Sequence, residues 1–385
     1  MKRFDVVVVG GGPSGATAAR HCSLKGLKTL LLEKVRVPRY KPCAGGVTIA
    51  AFQELGFALE DGVVERECCG ARVQVKDFCK EVTAGRPIFY TVDRGRFDEY
   101  LVRQAAAAGT EVHDGEGAVG IERERTGVVV STGKGSYKAN LVVGADGYFS
   151  TVRKALNREF AADEVMFCAL CEVELDEEEI DRRYGNLLLV HYGFFNRGYA
   201  WIFPKRGCVS AGIGGVFSQS RELPARLREF LSLHRLDGRV EIKGGFVPVT
   251  RFRHPVYDDR VVLTGDAAGF VDSFTGEGIR YAILSGKIAA ETAAECHDRA
   301  EFSLQAVSHY QIRCENRFGE NLRYASRITD LLLRFTDFLI DMVVKNSSIM
   351  DGYLKTITGE LDYRSFAAWV KRRIPGLLLK RLISS

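Results

Sequence analysis

The hydrophobic positions at the start of the chain predict a parallel β-α-β unit. Phe4 to Val9 is a β-branched run, typical of a buried parallel strand. It is followed by the glycine-rich stretch Gly10 to Gly15 and by a helix of small residues, Ala16 to Lys25. A second apolar run, Leu27 to Leu32, predicts the next strand, and Glu33 stands at its end. Roughly thirty residues suffice for such a unit.

Later patterns predict the remaining elements. Alternating apolar and polar residues over 164–249 indicate a mostly antiparallel layer with one helix near Leu223 to Leu233. The chain is mainly helical beyond residue 300. The other predicted elements are a helix over Arg94 to Ala108, a strand over Glu111 to His113, a hairpin over Thr126 to Ser131 and Gly135 to Leu141, a further strand from Val142 into a turn at Gly147, a buried strand over Arg260 to Asp266, and a long helix from Gly278 to Ala294.

This order of elements predicts an α/β (α+β) fold with a discontinuous first domain. We expect residues 1–50, 90–160 and 255–298 to form a Rossmann-type dinucleotide-binding domain. Residues 51–89 and 161–254 are expected to form an inserted antiparallel-sheet domain that binds the substrate. Residues 299–385 are expected to form a helical C-terminal region.

Charge is balanced over most of the chain and concentrated at its end. The 385 residues carry 54 Lys and Arg against 49 Asp and Glu, a net charge of +5. The rest of the chain is neutral overall, which argues against a nucleic-acid groove. The last fifteen residues hold five basic and no acidic side chains: Lys371, Arg372, Arg373, Lys380 and Arg381.

No segment predicts a membrane span, a secretion signal or a metal site. Apolar runs stay below the roughly 18 residues that a spanning helix needs. The basic start is followed by Asp5 and by glycines, unlike a signal peptide, so we expect a cytoplasmic protein whose ten cysteines remain thiols. The seven histidines lack metal-ligand spacing, and Cys168-x-x-Cys171 has no second pair.

The stretch Gly10 to Gly15 is a dinucleotide-binding motif in its full context, with a strand before it, a helix after it and an acidic residue beyond. Gly10 permits the tight turn, Gly12 lets the backbone approach a pyrophosphate, and Gly15 lets the helix pack closely. Free N–H groups at the helix start, near Ser14, favour phosphate. Glu33 is placed to bind an adenosine ribose, which favours FAD or NAD over a nucleotide with a 2′-phosphate.

Two later segments favour FAD. Thr264-Gly265-Asp266 ends a strand, and Gly276-Glu277-Gly278-Ile279 opens a helix. The flavin end of an extended dinucleotide needs such a second contact, and Asp266 is placed to hold the ribityl chain. The helix start at Gly278 and Ile279 would face the flavin pyrimidine, where the helix dipole stabilises the anion of the reduced flavin.

With two more segments, these motifs resemble the flavoproteins of the para-hydroxybenzoate-hydroxylase-like fold. The segments are Gly144-Ala145-Asp146-Gly147-x-x-Ser150-x-Val152-Arg153 and Arg94-x-x-Phe97-Asp98-x-x-Leu101. The resemblance implies a Rossmann-type FAD-binding domain in which Arg94 reaches FAD and Ala118 lies near the adenine.

Two further segments are similar to those of geranylgeranyl reductases, which reduce isoprenoid double bonds. Tyr199-Ala200-Trp201-Ile202-Phe203-Pro204, followed by Gly212-Ile213-Gly214, matches the family signature, although Asn196 replaces the usual proline before it. Lys41-Pro42-Cys43-Ala44-Gly45-Gly46 matches the family's loop beside the flavin. By resemblance, the backbone of Cys43, Ala44 and Gly46 contacts FAD.

The candidate catalytic residues are Cys43, Tyr199, Trp201 and Phe203. The three aromatic residues alternate along a strand and therefore share one face, which suits either an apolar tunnel for a polyprenyl chain or the core of a sheet sandwich. Phe194 and Phe195 are candidates to extend a tunnel. Cys43 is either a thiol activated by the nearby Lys41 or a small wall residue of the flavin site.

The resemblance implies an FAD-dependent reductase that transfers hydride from reduced flavin to one alkene carbon while the other carbon takes a proton. Tyr199 is a candidate orienting hydroxyl, and the proton donor stays open. The implied substrates carry geranylgeranyl chains on a glycerophospholipid, a pigment precursor or a quinone. The electron donor is NADPH, ferredoxin or another carrier.

Two alternatives remain. One is a flavin-dependent monooxygenase or halogenase of the same fold, and the other is a non-catalytic flavin-binding module. Halogenases of this fold carry Trp-x-Trp-x-Ile-Pro, and here Tyr199 and Phe203 occupy the first Trp and the Ile places, which argues against that chemistry.

A prenyl-lipid substrate predicts peripheral contact with a membrane surface. Thr329 to Val344 carries an apolar stripe at helical spacing, which also suits a helix packed on the body. Trp369 and the basic residues around the short apolar run 374–379 are typical of an interfacial segment, the alternative being a solvated tail. Each basic side chain would contribute about 1 kcal/mol at an anionic surface.

Overall fold

A computed structural model describes residues 1–75, 78–195, 198–236, 238–249, 252–334, 347–357 and 360–373. Its largest sheet has eight strands, with the order β17-β18-β11-β1-β2-β8 and with β10 and β9 attached to β11. In chain order these strands are β1 (Lys2–Val9), β2 (Thr29–Glu33), β8 (Glu111–Asp114), β9 (Ala118–Glu124), β10 (Gly127–Thr132), β11 (Gly135–Gly144), β17 (Tyr257–Asp258) and β18 (Val261–Leu263).

The centre of this sheet is parallel and buried. β1 pairs with β2 on one side and with β11 on the other, and β11 pairs with β18. Val7 and Val8 are fully buried, as are Leu30 and Leu31, because helices cover both faces of a parallel sheet. The carboxyl ends of the strands therefore meet along one edge, where ligands bind in open α/β sheets.

A second sheet of seven strands has the order β16-β12-β15-β14-β13-β5-β6. Neighbouring strands are antiparallel except β13 and β5, which are parallel. The strands are β5 (Gly70–Val75), β6 (Phe78–Thr83), β12 (Val165–Glu174), β13 (Leu187–Tyr192), β14 (Gly198–Pro204), β15 (Cys208–Val216) and β16 (Lys243–Pro248). A small third sheet consists of β3 (Gly46–Thr48), β4 (Val64–Cys68) and β7 (Phe89–Val92).

The helices are α1 (Pro13–Leu24), α2 (Ile49–Leu55), α3 (Arg94–Ala107), α4 (Thr151–Ala155), α5 (Glu177–Arg183), α6 (Leu223–Leu233), α7 (Gly265–Ala268), α8 (Ile279–Asp298), α9 (Leu304–Cys314), α10 (Glu320–Arg334), α11 (Ser347–Ile357) and α12 (Tyr363–Arg373). A π-helical turn, Glu315–Gly319, joins α9 to α10. Short 3₁₀ turns span Ala162–Glu164 and Phe217–Gln219.

The fold class predicted from the sequence is confirmed, and one predicted element is wrong. The pattern predicts a hairpin strand ending at Leu141 and a separate strand from Val142. Instead β11 is continuous, because Ala139, Leu141, Val142 and Val143 are all buried and the strand pairs with β1 from Tyr137 to Gly144. The limits assigned to the two domains stay a prediction.

In the C-terminal region, Trp369 contacts residues of two helices. Its ring lies 6.3 Å from that of Phe366, and a Cβ on Gly352 would lie 2.9 Å from it, so Trp369 packs between α11 and α12. The interfacial role expected for Trp369 stays a prediction. Within the described ranges no helix is long and apolar enough to cross a membrane. The apolar stripe beyond residue 334 and the basic tail from 374 lie outside the described residues.

Candidate active site

Two glycines of the N-terminal motif are required by close backbone packing. Gly10 has φ +106°, and a Cβ there would lie 2.3 Å from the carbonyl oxygen of Ala145 at the end of β11. A Cβ on Gly15 would lie 1.8 Å from the carbonyl oxygen of Gly10. The turn between β1 and α1 can therefore form only with glycine at both positions.

The space next to the Cα atom of Gly12 is open, whereas Gly10 and Gly15 are closely packed. The nearest atom to a Cβ placed on it is Nη2 of Arg39, 3.8 Å away, and its φ of −76° suits any residue. α1 begins directly after it without a side-chain cap, and the buried hydroxyl of Ser14 has no hydrogen-bond partner among the described residues. An open cradle, free helix N–H groups and an orphan hydroxyl fit a dinucleotide pyrophosphate.

Glu33 is buried at the carboxyl end of β2, 4% exposed. One carboxylate oxygen accepts a 2.7 Å hydrogen bond from the N–H of Gly11, and the other accepts one from the N–H of Val35 at 3.1 Å. The carbonyl oxygen of Glu33 accepts the N–H of Glu116, which brings the start of β9 and Ala118 alongside. Glu33 and Ala118, which are predicted to contact the ribose and the adenine, therefore lie at the same corner of the sheet.

A series of charged side chains links this corner of the sheet to the loop Lys41 to Gly46, which contains Cys43 and is called the cysteine loop below. Arg39 lies between Glu33, at 3.3 Å, and Asp98, at 2.9 Å. Asp98 also pairs with Arg94 at 3.0 Å, and Arg94 in turn hydrogen-bonds the thiol of Cys43. Burial opposes the charge on Arg94, but Asp98 and Cys43 outweigh it and raise the pKa of this guanidinium. Arg94 is thus a cation next to Cys43, and the activation by Lys41 expected from the sequence stays a prediction.

The cysteine loop is pressed against the second sheet. A Cβ on Gly46 would lie 2.7 Å from the ring of Phe203, and one on Gly45 would lie 3.1 Å from the side chain of Lys205. The N–H of Gly45 donates to Sγ of Cys43 at 3.4 Å. The loop, which includes Ala44, therefore packs closely on Phe203 of β14 and on Lys205 just beyond it.

The second predicted FAD segment meets the first one. Gly265 lies over Ser14, so that a Cβ there would be 3.3 Å from the Ser14 hydroxyl, and one on Gly278 would lie 3.7 Å from the carboxylate of Asp266. α8 begins at Ile279, 8% exposed, directly after this point. Asp266, Gly278 and Ile279 therefore continue the cradle that Gly12 and Ser14 begin.

The segment that begins at Asp146 stabilises the local fold. Asp146 accepts hydrogen bonds from the hydroxyl of Ser150 and from the N–H groups of Thr151 and Val152, which caps α4. Arg153 on that helix stacks on Phe160 at 4.0 Å and donates to the carbonyl oxygen of Ala267 at 3.5 Å. The segment thereby braces the Gly265 turn.

The three alternating aromatic residues of β14 share the face that meets both FAD segments. Phe203 lies against Gly46, and the hydroxyl of Tyr199 donates to the carbonyl oxygen of Thr275 at 3.4 Å. Trp201 lies between them, 5.9 Å from the ring of Tyr199 and 5% exposed. The neighbours Ala200 and Ile202 point to the opposite face, into a core that α6 covers.

The Gly212-Ile213-Gly214 motif forms a shelf for Trp201. A Cβ on Gly212 would lie 2.2 Å from the indole, and one on Gly214 would lie 3.5 Å from it. Burial raises the pKa of Tyr199 well above its usual range, with Cys168, Tyr192 and Asp272 adding to the effect. Tyr199 therefore keeps its proton at physiological pH.

Phe194 and Phe195 do not extend this face, contrary to the sequence interpretation. The ring of Phe194 lies 5.3 Å from that of Phe230 on α6, and both residues pack on the core of the opposite face. Both residues follow the end of β13, where side chains no longer alternate regularly between the two faces of the sheet. The strand pattern therefore does not determine which face they contact.

The structure adds polar contacts around the aromatic face that carried no sequence signal. The hydroxyls of Tyr192 and Tyr353 lie 3.0 Å apart, and that of Tyr363 donates to Asp272 at 2.6 Å. α11 thereby contacts β13 of the second sheet, and α12 contacts the loop after α7. The partners lie 161 and 91 residues apart, so that a local motif does not reveal them.

Comparison with known proteins agrees with this site. A family model described as an FAD binding domain matches residues 3–208. Digeranylgeranylglycerophospholipid reductase 1 of Methanopyrus kandleri is 32% identical over 353 residues, which cover 86% of this chain and 90% of that protein.

Two solved structures are similar to the whole fold. A protein described as geranylgeranyl bacteriochlorophyll reductase-like, from Thermoplasma acidophilum, has a TM-score of 0.83 at 27% identity, with 90% of this chain and 91% of that chain covered. A flavin-dependent brominase has a TM-score of 0.76 at 17% identity, with 97% and 99% covered, which shows a shared fold alone.

FAD is therefore the cofactor of this protein, and the geometry around Gly12 and Ser14 fits it. The reductase relatives match 86% and 90% of the chain, more than the family model covers. The chain belongs to the geranylgeranyl reductase family of FAD-dependent oxidoreductases.

Proposed function

We propose that the protein saturates isoprenoid double bonds of a geranylgeranyl lipid. The observation that carries the proposal is the position of the aromatic face of β14. Its ends touch both FAD segments, Phe203 at Gly46 and Tyr199 at the loop before Gly278. A polyprenyl chain has no polar group except at its head, so an apolar wall next to the flavin suits it.

Bound reduced FAD supplies the hydride for this chemistry, and the chain supplies position and shelter. Trp201 is fixed by its glycine shelf and gives the alkene a flat apolar surface. Tyr199 carries its proton beside the same surface and orients the substrate. An apolar site that excludes water also protects the reduced cofactor. Cys43 contributes a small wall or, with Arg94 beside it, a reactive thiol.

The proposed substrate is a geranylgeranyl ether of a glycerophospholipid, because the named relatives are digeranylgeranylglycerophospholipid reductases. A prenylated pigment precursor or quinone is the second possibility. The proposed electron donor is an external carrier, NADPH or ferredoxin.

Mass spectrometry of lipids from cells with and without the protein tests this function. We expect prenyl chains to lose double bonds one at a time, gaining two hydrogen atoms at each step, only when the active protein is present. Identical lipid profiles, with the holoprotein shown to be present, would refute the proposal.

A monooxygenase or halogenase is the second candidate, and only the shared fold favours it. Tyr199 and Phe203 stand where the halogenase motif has Trp and Ile. Substrate-dependent consumption of O₂ by the reduced protein would favour this alternative.

Glu33→Ala is expected to weaken FAD binding about 10- to 100-fold, because charge-assisted hydrogen bonds contribute about 1.5–3 kcal/mol. The carboxylate also holds the N–H of Gly11, so its loss loosens the turn that faces the pyrophosphate. Titration of the apoprotein with FAD measures the affinity, and Asp5→Ala is the control because Asp5 lies on β1 away from the motif. Equal affinity of the wild type and Glu33→Ala would contradict the role of Glu33.

We also propose that the basic C-terminus binds an anionic membrane surface. Truncation after Val370 removes all five basic residues of the tail while retaining Tyr363 and Phe366, the buried residues of α12. The truncated protein is expected to keep its flavin and its activity on detergent-dispersed substrate, but to lose binding to anionic liposomes. Flotation at low salt measures this, and equal flotation of both proteins would show that the tail is not the anchor.

A further inference from the structure

Glu277 is a carboxyl group at the junction of the two FAD segments. It stands directly before Gly278, where α8 begins. Its Oε1 accepts a 2.5 Å hydrogen bond from the hydroxyl of Thr48, at the end of β3 just beyond the cysteine loop. This bond ties together the two backbone segments that we place around the flavin ring.

The groups that face Glu277 come from three elements. They are Thr48 before α2, Arg280 and Tyr281 on α8, and Asp272 in the loop after α7. Burial raises the pKa of Glu277 to about 7, with Asp272 adding to the rise and with Thr48 and Arg280 opposing it. The carboxyl group therefore gains or loses its proton in the neutral range.

A polar cavity of about 300 Å³ lies next to this junction, between α8, the π-helical turn and the C-terminal helices. Arg280 and Tyr281 line it, and both interact electrostatically with Glu277. Arg280 and Tyr281 thus connect the partly exposed Glu277 to this cavity. The other polar lining residues include Arg317, Asn321, Asp362 and Arg364.

We propose that Glu277 takes up a proton from this cavity when the bound FAD is reduced and returns it on reoxidation. An external reductant supplies two electrons; one proton joins the cofactor and a second joins the Glu277 carboxylate. Reduction leaves a negative charge on the flavin, and like charges raise each other's affinity for protons at short range. Glu277 is a positioning residue: its proton offsets the negative charge of the reduced cofactor. This role does not depend on which substrate is later reduced.

Potentiometric titration of the FAD-loaded protein, with dithionite as reductant and no prenyl substrate, tests this proposal. The slope of midpoint potential against pH is proportional to the protons taken up per electron. Above about pH 7 we expect the potential of the wild type to fall twice as steeply with pH as that of Glu277→Gln. Glu295→Gln, the same change near the far end of α8, is expected to keep the wild-type slope.

A second variant keeps the proposal falsifiable if Glu277→Gln does not hold FAD. Thr48→Val removes a hydrogen bond that lowers the pKa of Glu277, so the steep region is expected to begin at a higher pH than in the wild type. Equal slopes in the wild type and Glu277→Gln, or an unchanged onset in Thr48→Val, would overturn the proposal. The prenyl-reductase function is tested separately by lipid analysis, so either result can fail alone.

Discussion

Gly15→Ala is expected to abolish FAD binding by disrupting the fold, whereas Gly12→Ala is expected to abolish or strongly weaken FAD binding in a folded protein. A methyl group on Gly15 would lie 1.8 Å from the carbonyl oxygen of Gly10, which is itself pressed against Ala145. Overpacking costs about 1–3 kcal/mol or more, and here neither backbone segment can yield. The methyl group of Gly12→Ala enters open space instead, where the pyrophosphate belongs.

Thermal unfolding of the apoproteins and titration with FAD separate the two effects. The apo form of Gly12→Ala is expected to lose no more than about 1 kcal/mol of stability, the difference between glycine and alanine at a helix N-cap. Gly15→Ala is expected to lower the unfolding temperature with or without FAD. If Gly12→Ala binds FAD as tightly as the wild type, the pyrophosphate does not lie at this helix start.

Trp201→Ala is expected to remove most prenyl reduction while FAD stays bound. The indole fills the space above Gly212 and Gly214, so its loss leaves a large cavity between the aromatic face and the flavin site. Removing a buried aromatic residue of this size also costs about 3–5 kcal/mol of stability. Trp201→Phe keeps an aromatic ring on the shelf and separates lost activity from lost stability.

Turnover with a dispersed geranylgeranyl lipid and the flavin content of each purified variant are the measurements. Ile202→Val is the matched control, since it lies on the same strand, points into the opposite core and costs about 0.5–1.5 kcal/mol. It is expected to leave turnover unchanged. Unchanged turnover in both Trp201 variants would show that this face is a structural core.

The elements that were predicted correctly are those with strong local signals. α6 has the limits Leu223–Leu233 that its apolar pattern gave, and α3 has Asp93 as its N-cap, which accepts the N–H of Arg96. The turn between β1 and α1 also follows from local sequence, because the backbone there tolerates only glycine at two positions. Hydrophobic period and turn chemistry act within a few residues, so they can be read along the chain.

The parts that escaped prediction depend on contacts between distant residues. Arg39 binds both Glu33 and Asp98, and Asp98 lies 59 residues further along the chain, so no local pattern around Arg39 predicts this contact. The direction of Phe194 was decided by α6, which covers the outer face of the second sheet. Glu277 lies between two glycines of a motif, and its hydrogen bond to Thr48 joins residues 229 positions apart, so no local pattern predicts it.

The strand order of the large sheet also determines the order in which a newly synthesised chain can finish its domains. β1 leaves the ribosome first, but Lys2 pairs with Tyr137, and Val142 on the same partner strand pairs with Val261. Every strand of the second sheet is translated before β18, and Tyr353 emerges later still. During translation the parallel sheet therefore stays incomplete after all strands of the second sheet have been made. Until β18 emerges, the edge of β11 that it covers is unpaired. Unpaired strand edges of this kind are prone to aggregation and are the surfaces that chaperones protect.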